Sequence, residues 1–227
     1  MRSRETNATR FAGVELFSSN GILLDLNQSR CSNHIGITTL ALTNDGQLVA
    51  TVQSSASAQN AEQFSPAGSG SADWYDLKGL DAKPRLLDFL VRAMERELVE
   101  ECGMAHGRPE MDTLVLGFCR LLMRGGKPEF FGLTKLDCHS SRLHVARREE
   151  VFIADVSRSR IDRSDLEALR SSIDNFMVSE RSSFSLQLYV NLLFLSELIE
   201  RAPDLVANFV SCEKRTITGS SRGNPAS

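Results

Sequence analysis

The sequence predicts an α/β protein, a mixed β-sheet covered on both faces by helices in an α/β/α sandwich. Three observations predict it. Short apolar runs of strand character alternate with longer segments whose apolar residues recur at helical spacing. The first two strand-like runs are joined by Asn44-Asp45-Gly46, a tight-turn signal that makes them antiparallel neighbours. Strands alternating with helices then need a layered arrangement, because each element must bury one face. The 227 residues, 41% hydrophobic and 24% charged, suit one globular domain with decoration. We read an N-terminal extension over 1–33, a main domain over 34–205 and a disordered tail over 213–227.

In the extension, residues 14–17 and 22–26 are short apolar pieces around Gly21 and suggest a small hairpin. Residues 35–42 read as the first long strand and 47–53 as its partner. Residues 54–71, rich in Ser, Ala, Gly and Gln, read mostly as loop. That stretch ends in Pro66-Ala67-Gly68-Ser69-Gly70-Ser71, whose small side chains allow another group to approach the backbone closely. Pro84 suits the first turn of a helix, in which Leu86, Leu87, Leu90, Met94 and Leu98 form an apolar stripe. Gly103 can take a left-handed conformation and stop it. Residues 113–123 and 129–136 read as strands around the turn Arg124-Gly125-Gly126-Lys127, and 151–156 as another strand. Ser164-Asp165-Leu166-Glu167 reads as a capping box, followed by Leu169, Ile173 and Phe176 at helical spacing. A last helix is expected over 184–200.

The densest chemistry lies in Arg96-Glu97-Leu98-Val99-Glu100-Glu101-Cys102-Gly103-Met104. On a helix, Glu97, Glu100 and Glu101 share one face. Three like charges so close repel, which raises their pKa values, and a cation relieves the repulsion. Carboxylate oxygens suit hard divalent ions such as Mg2+, with Mn2+ as an alternative. A solvated face with Arg96 paired to Glu100 is the bland reading of the same residues.

The order Arg-Glu, aliphatic, any, Glu-Glu, any, Gly, aliphatic resembles the core of the Nudix box. The resemblance implies a Nudix-like domain over 34–205 that hydrolyses a phosphoanhydride bond in a nucleoside diphosphate linked to another group. It implies Glu97 and Glu101 as principal metal ligands and Glu100 as a third ligand or water-activating base. It makes Arg96 the residue that orients a box glutamate, so Arg96, Glu100 and Glu101 form the implied catalytic set. The first half of the box departs from the family pattern. Counted back from Arg96, its glycine and glutamate positions fall on Ala82 and Asp88. We read Gly68 or Gly70 as supplying the glycine turn, with an insertion over 71–83. Within it, Asp73-Trp74-Tyr75-Asp76 either lines a substrate pocket or packs the insertion down. Family members can take a base from a later loop, and Glu129, Glu149, Glu150 and Glu180 are the candidates. The altered half-box supports an alternative, a catalytically impaired nucleotide-binding or regulatory module.

A net charge of −3 and a pI near 5.9 disfavour a nucleic-acid backbone as partner, a capped RNA end excepted. A small nucleotide-derived substrate is expected, and the family resemblance allows a homodimer. No apolar run reaches the ~18 residues of a membrane span. The five cysteines are widely spaced without a CxxC pair, and read as free thiols in a reducing cytoplasm. Cys138, His139 and His144 read as surface residues rather than metal ligands.

Overall fold

A computed structural model describes residues 14–31, 34–57, 60–104 and 107–211. The expected tail and the first part of the extension lie outside the described residues. The remainder of the extension forms the expected hairpin, β1 (Ser18–Ser19) and β2 (Ile22–Leu23), turning at Asn20 and Gly21 with φ of 51° and 75°. It packs beside the turn after Leu121, where the Arg120 guanidinium donates to the Leu24 carbonyl.

The long strands β3 (Gly36–Thr43) and β4 (Gln47–Gln53) start as an antiparallel pair, then splay. They pair directly only at Ala41–Val49 and Leu42–Leu48. Two short strands, β5 (Phe64–Pro66) and β6 (Gly68–Ser71), fill the gap, β5 against β4 and β6 against β3. A segment expected to be loop is therefore sheet. Its small residues lack intrinsic strand preference, but the opened edges of β3 and β4 supply partners for its backbone.

Helix α1 (Leu86–Glu101) follows, then β7 (Cys102–Met104), β8 (Met111–Leu121) and β9 (Lys127–Leu136). Strand β10 (Leu143–Val145) pairs with β7 outside the main sheet, and β11 (Ile153–Arg160) closes its edge. The described residues close with α2 (Leu166–Ser179), α3 (Leu186–Arg201) and α4 (Pro203–Val210). The main sheet runs β11-β4-β3-β9-β8, with β5 and β6 inserted, and is mixed because β3 and β9 are parallel.

Both faces of the sheet are covered, as expected. Along β3, Ile37 and Ala41 belong to apolar clusters with α1 residues Leu90, Ala93, Met94 and Leu98. Leu40 and Leu42 point the other way, into a cluster with α2, α3 and α4. This two-residue alternation is why every position of β3 is buried. Helix α4 was not anticipated. It carries Val206 and Val210 into the same core, after Pro203 at its first turn. Three local expectations are corrected. Leu86 and Leu87 are 55% and 54% exposed, so the α1 stripe begins at Leu90. The α2 cap is Asp165, which accepts from the Ala168 amide, rather than Ser164. Cys138 is core, 3% exposed, while His139 and His144 are exposed. Cys31, Cys102, Cys119 and Cys138 are free, and burial pushes the Cys102 thiol up to about 12.

Candidate active site

Helix α1 is fixed by its buried stripe, Leu90, Ala93, Met94 and Leu98. Its ending differs from expectation. Cys102 is extended, with φ −99° and ψ 102°, and the chain passes straight into β7. Gly103 is no left-handed stop but a strand residue opposite His144. A Cβ there would lie 2.4 Å from the His144 Nε2, so glycine serves close packing instead.

Arg96 is the hub of the carboxylate face. Its Nη1 donates to Glu97 Oε1 at 3.0 Å and to Glu100 Oε2 at 2.8 Å. Its Nε and Nη2 grip both oxygens of Asp76 at 2.8 and 3.1 Å, and Nη2 also donates to the Ser71 carbonyl at 2.9 Å. Asp76 is only 2% exposed. It sits in a short 3-10 turn, Trp74–Leu77, whose cap Asp73 and third residue Asp76 bond reciprocally. The insertion is therefore pinned by a forked ion pair. Trp74 and Tyr75 are 82% and 65% exposed and do not line the cleft described below, and Tyr75 packs against Lys78 of the same insertion, whose Nζ lies 3.9 Å from its ring centroid. The sequence singled out Asp76 only as part of Asp73-Trp74-Tyr75-Asp76, and gave no sign of its pairing with Arg96. Asp88 is far from these groups in role: it is exposed and paired to Arg85.

Strand β6 meets the same face. The Ser71 backbone favours the charged form of Glu97 and the Ser69 backbone that of Glu101. Only small residues allow this approach, since a Cβ on Gly70 would fall 2.3 Å from the Glu97 carboxyl. Burial raises the Glu97 pKa, with Arg96 pulling it back. Burial raises Glu101 well above the ordinary carboxylate range, the neighbouring Glu97 charge adding to it. The Glu101 Oε2 is buried and has no hydrogen-bond partner.

Glu101 faces a cleft of about 240 Å³, shared with Ser65, Ser69, Arg124, Lys127 and Glu129. Glu97 and Glu100 do not line it, being held by Arg96, and Glu100 is 54% exposed. Among the described residues, no three His, Cys, Asp or Glu side chains stand close enough to hold a metal ion together. Of the later acids, Glu129 lines the cleft and Glu149 bears on Glu101 through its charge. Nothing places Glu150 or Glu180 there. Sequence spacing named Glu129 but could not choose it from the four, because it reaches the site through the parallel pairing of β9 with β3.

No protein-family model and no curated protein matches this sequence. Among solved structures, the chain is similar to a MutT protein from Methanosarcina mazei Go1, at 14% identity and a TM-score of 0.43, covering 72% of this chain and 94% of that one. It is similar to a NUDIX-family hydrolase from Clostridium perfringens, at 8% identity and a TM-score of 0.42, over 75% and 99% of the two chains. A NUDIX hydrolase from Nitrosomonas europaea is similar at 10% identity and a TM-score of 0.43, over 77% and 74%. Likeness at these values decides no activity. The functional reading rests on the residues of the site.

Proposed function

We propose that the chain is a divalent-metal-dependent pyrophosphohydrolase of Nudix type, cleaving a phosphoanhydride bond in a nucleoside diphosphate linked to another group. The observation that carries this reading is Glu101, a buried carboxylate whose Oε2 lacks any donor and which faces a cleft. An uncompensated buried carboxylate is costly, and a bound cation is the simplest relief. Carboxylate oxygens suit a hard divalent ion, Mg2+ or Mn2+, and for Glu97 and Glu100 to join Glu101 on it they would turn from Arg96, which holds them here. Glu97 and Glu101 would hold it, with Glu100 as a third ligand or as the base that takes a proton from water. At such a site the ion screens phosphate charge, polarises phosphorus and acidifies water.

The chain's own residues do the positioning. Arg96 sets the rotamers of Glu97 and Glu100 while Asp76 holds the guanidinium from behind. Lys127 and Arg124 bring positive charge to the cleft, where diphosphate oxygens would meet it. A second reading, a binding module without turnover, is favoured by one observation, the placement of Asp88 in an exposed pair with Arg85. No helix is long and apolar enough to cross a membrane among the described residues; a cytoplasmic location and any homodimer remain expectations of the sequence.

The test is a panel of nucleoside diphosphate derivatives with Mg2+ or Mn2+, on the wild type and a Glu100→Gln/Glu101→Gln variant. Metal-dependent cleavage that falls by orders of magnitude in the variant is expected. Binding of a panel member without cleavage would select the second reading. Equal activity in both proteins would overturn the residue assignment.

A further inference from the structure

The cleft beside Glu101 holds a second carboxylate that the proposed reaction does not use. Glu129, the third residue of β9, lies opposite Gly36 in the parallel register with β3. It is 1% exposed. Its Oε1 accepts from the Thr38 hydroxyl at 3.1 Å. Its Oε2 lies 3.5 Å from Lys127 Nζ, a charge contact outside hydrogen-bond geometry, and has no hydrogen-bond partner. The carboxylate fits there only because residue 36 is glycine: a Cβ would stand 1.9 Å from Oε2. The buried hydroxyl of Ser65, in the same cleft, is also unpartnered.

Buried acceptors without donors are rare, and two in one cleft besides Glu101 mark where a ligand supplies the missing hydrogens. A metal ion is the wrong ligand for Glu129, because the Lys127 ammonium beside it repels a cation. A nucleobase is a poor fit as well. Among the described residues lining the cleft, none is aromatic or aliphatic, so a flat ring finds no apolar face and only the Arg124 guanidinium plane beside it. A sugar fits: each hydroxyl both donates and accepts, and matches a carboxylate next to an ammonium. We propose that Glu129 and Lys127 are a specificity-determining pair, Glu129 accepting from and Lys127 donating to neighbouring hydroxyls of a sugar carried beyond the diphosphate. The inference rests on the hydrolase reading and names that site's substrate class, a nucleoside diphosphate joined to a sugar.

The test compares UDP-glucose and ADP-ribose with ATP and ADP, which carry no second sugar, on the wild type, Glu129→Gln and Gly36→Ala. The wild type is expected to favour the sugar-linked compounds in kcat/KM. Glu129→Gln should raise KM for them by about 10- to 100-fold, the effect of losing one hydrogen bond to a charged group. It should leave kcat within a few-fold and raise KM for ATP and ADP clearly less than for the sugar-linked compounds. Gly36→Ala should reproduce this by displacing the carboxylate, with the melting curve reporting that the fold persists. A fall in kcat shared by all four compounds, or unchanged KM, overturns the pair's role. If nothing is cleaved, the hydrolase reading fails by itself, and calorimetric binding of the same four compounds decides the pair. Loss of sugar-linked binding in Glu129→Gln then upholds it, and equal or absent binding in both proteins overturns it.

Discussion

Glu101 shows how far single residues could be read. Its place among three carboxylates was legible because helical spacing is a local property. That it alone would face the cleft was not legible, because Arg96 draws Glu97 and Glu100 aside and is itself held by Asp76, twenty residues upstream. The burial of Glu101 has a consequence for stability. Its native pKa is raised, by burial first and by Glu97 next, so the folded state holds the proton more tightly than the unfolded chain, where glutamate titrates near ~4.3. That contribution to stability is full below the unfolded pKa and is lost as pH rises through the native one. Glu101→Gln should therefore stabilise the metal-free protein at neutral pH, because the amide carries no charge for burial to penalise. Added Mg2+ or Mn2+ should raise the melting temperature of the wild type and not of the variant. Differential scanning calorimetry with and without chelator measures both effects, and a variant less stable than wild type without metal would show that Glu101 is compensated in the fold.

Among elements, the β6–α1 contact is the one that composition hid and geometry explains. Gly68-Ser69-Gly70-Ser71 has no strand pattern, yet it is paired along β3 and lies against α1. The long strands and α1 were legible because apolar periodicity announces them. The wedge strands were not, because their pairing depends on the splay of β3 from β4, a tertiary fact. Two glycines in the wedge should behave differently. A Cβ on Gly68 would lie 2.9 Å from the Leu98 backbone nitrogen, which cannot move without shifting the helix. A Cβ on Gly70 would meet the far end of the Glu97 side chain at 2.3 Å, which can swing away. Gly68→Ala is expected to cost about 1–3 kcal/mol by overpacking. Gly70→Ala should leave the urea midpoint nearly unchanged while lowering hydrolysis through a displaced Glu97. Equal stability losses in the two variants would mean that the helix, and not the carboxylate, yields at both positions.

Across the whole molecule, the covered sheet was legible from the alternation of elements, but what ties its ends together was not. At the end marked by the β3–β4 turn, Asp45 reaches across the chain. It accepts from the Ser140 amide and hydroxyl, each at 2.8 Å. The Arg160 guanidinium donates to its carbonyl at 2.7 Å. Sequence reading found the turn in Asn44-Asp45-Gly46 but had no way to see its partner, 95 residues on. Burial pulls the Asp45 pKa up, yet hydrogen bonds from Thr43 and Ser140 outweigh it and hold the carboxyl at about 2. The unfolded chain titrates near ~3.9 at aspartate. A depressed native pKa contributes stability that is present above the unfolded value and is lost as pH falls through the native one. Between pH ~4 and ~2 the wild type should therefore lose stability that Asp45→Asn, uncharged throughout, cannot lose. At pH 6 the variant should be less stable by about 1–3 kcal/mol, the worth of hydrogen bonds to a charged group. At the acid end the two proteins should converge, as the protonated aspartic acid comes to resemble the amide. Urea unfolding monitored by far-ultraviolet circular dichroism at pH 6 and pH 2.5 measures the gap, and a gap that stays constant would place the acid sensitivity of the fold in other carboxylates.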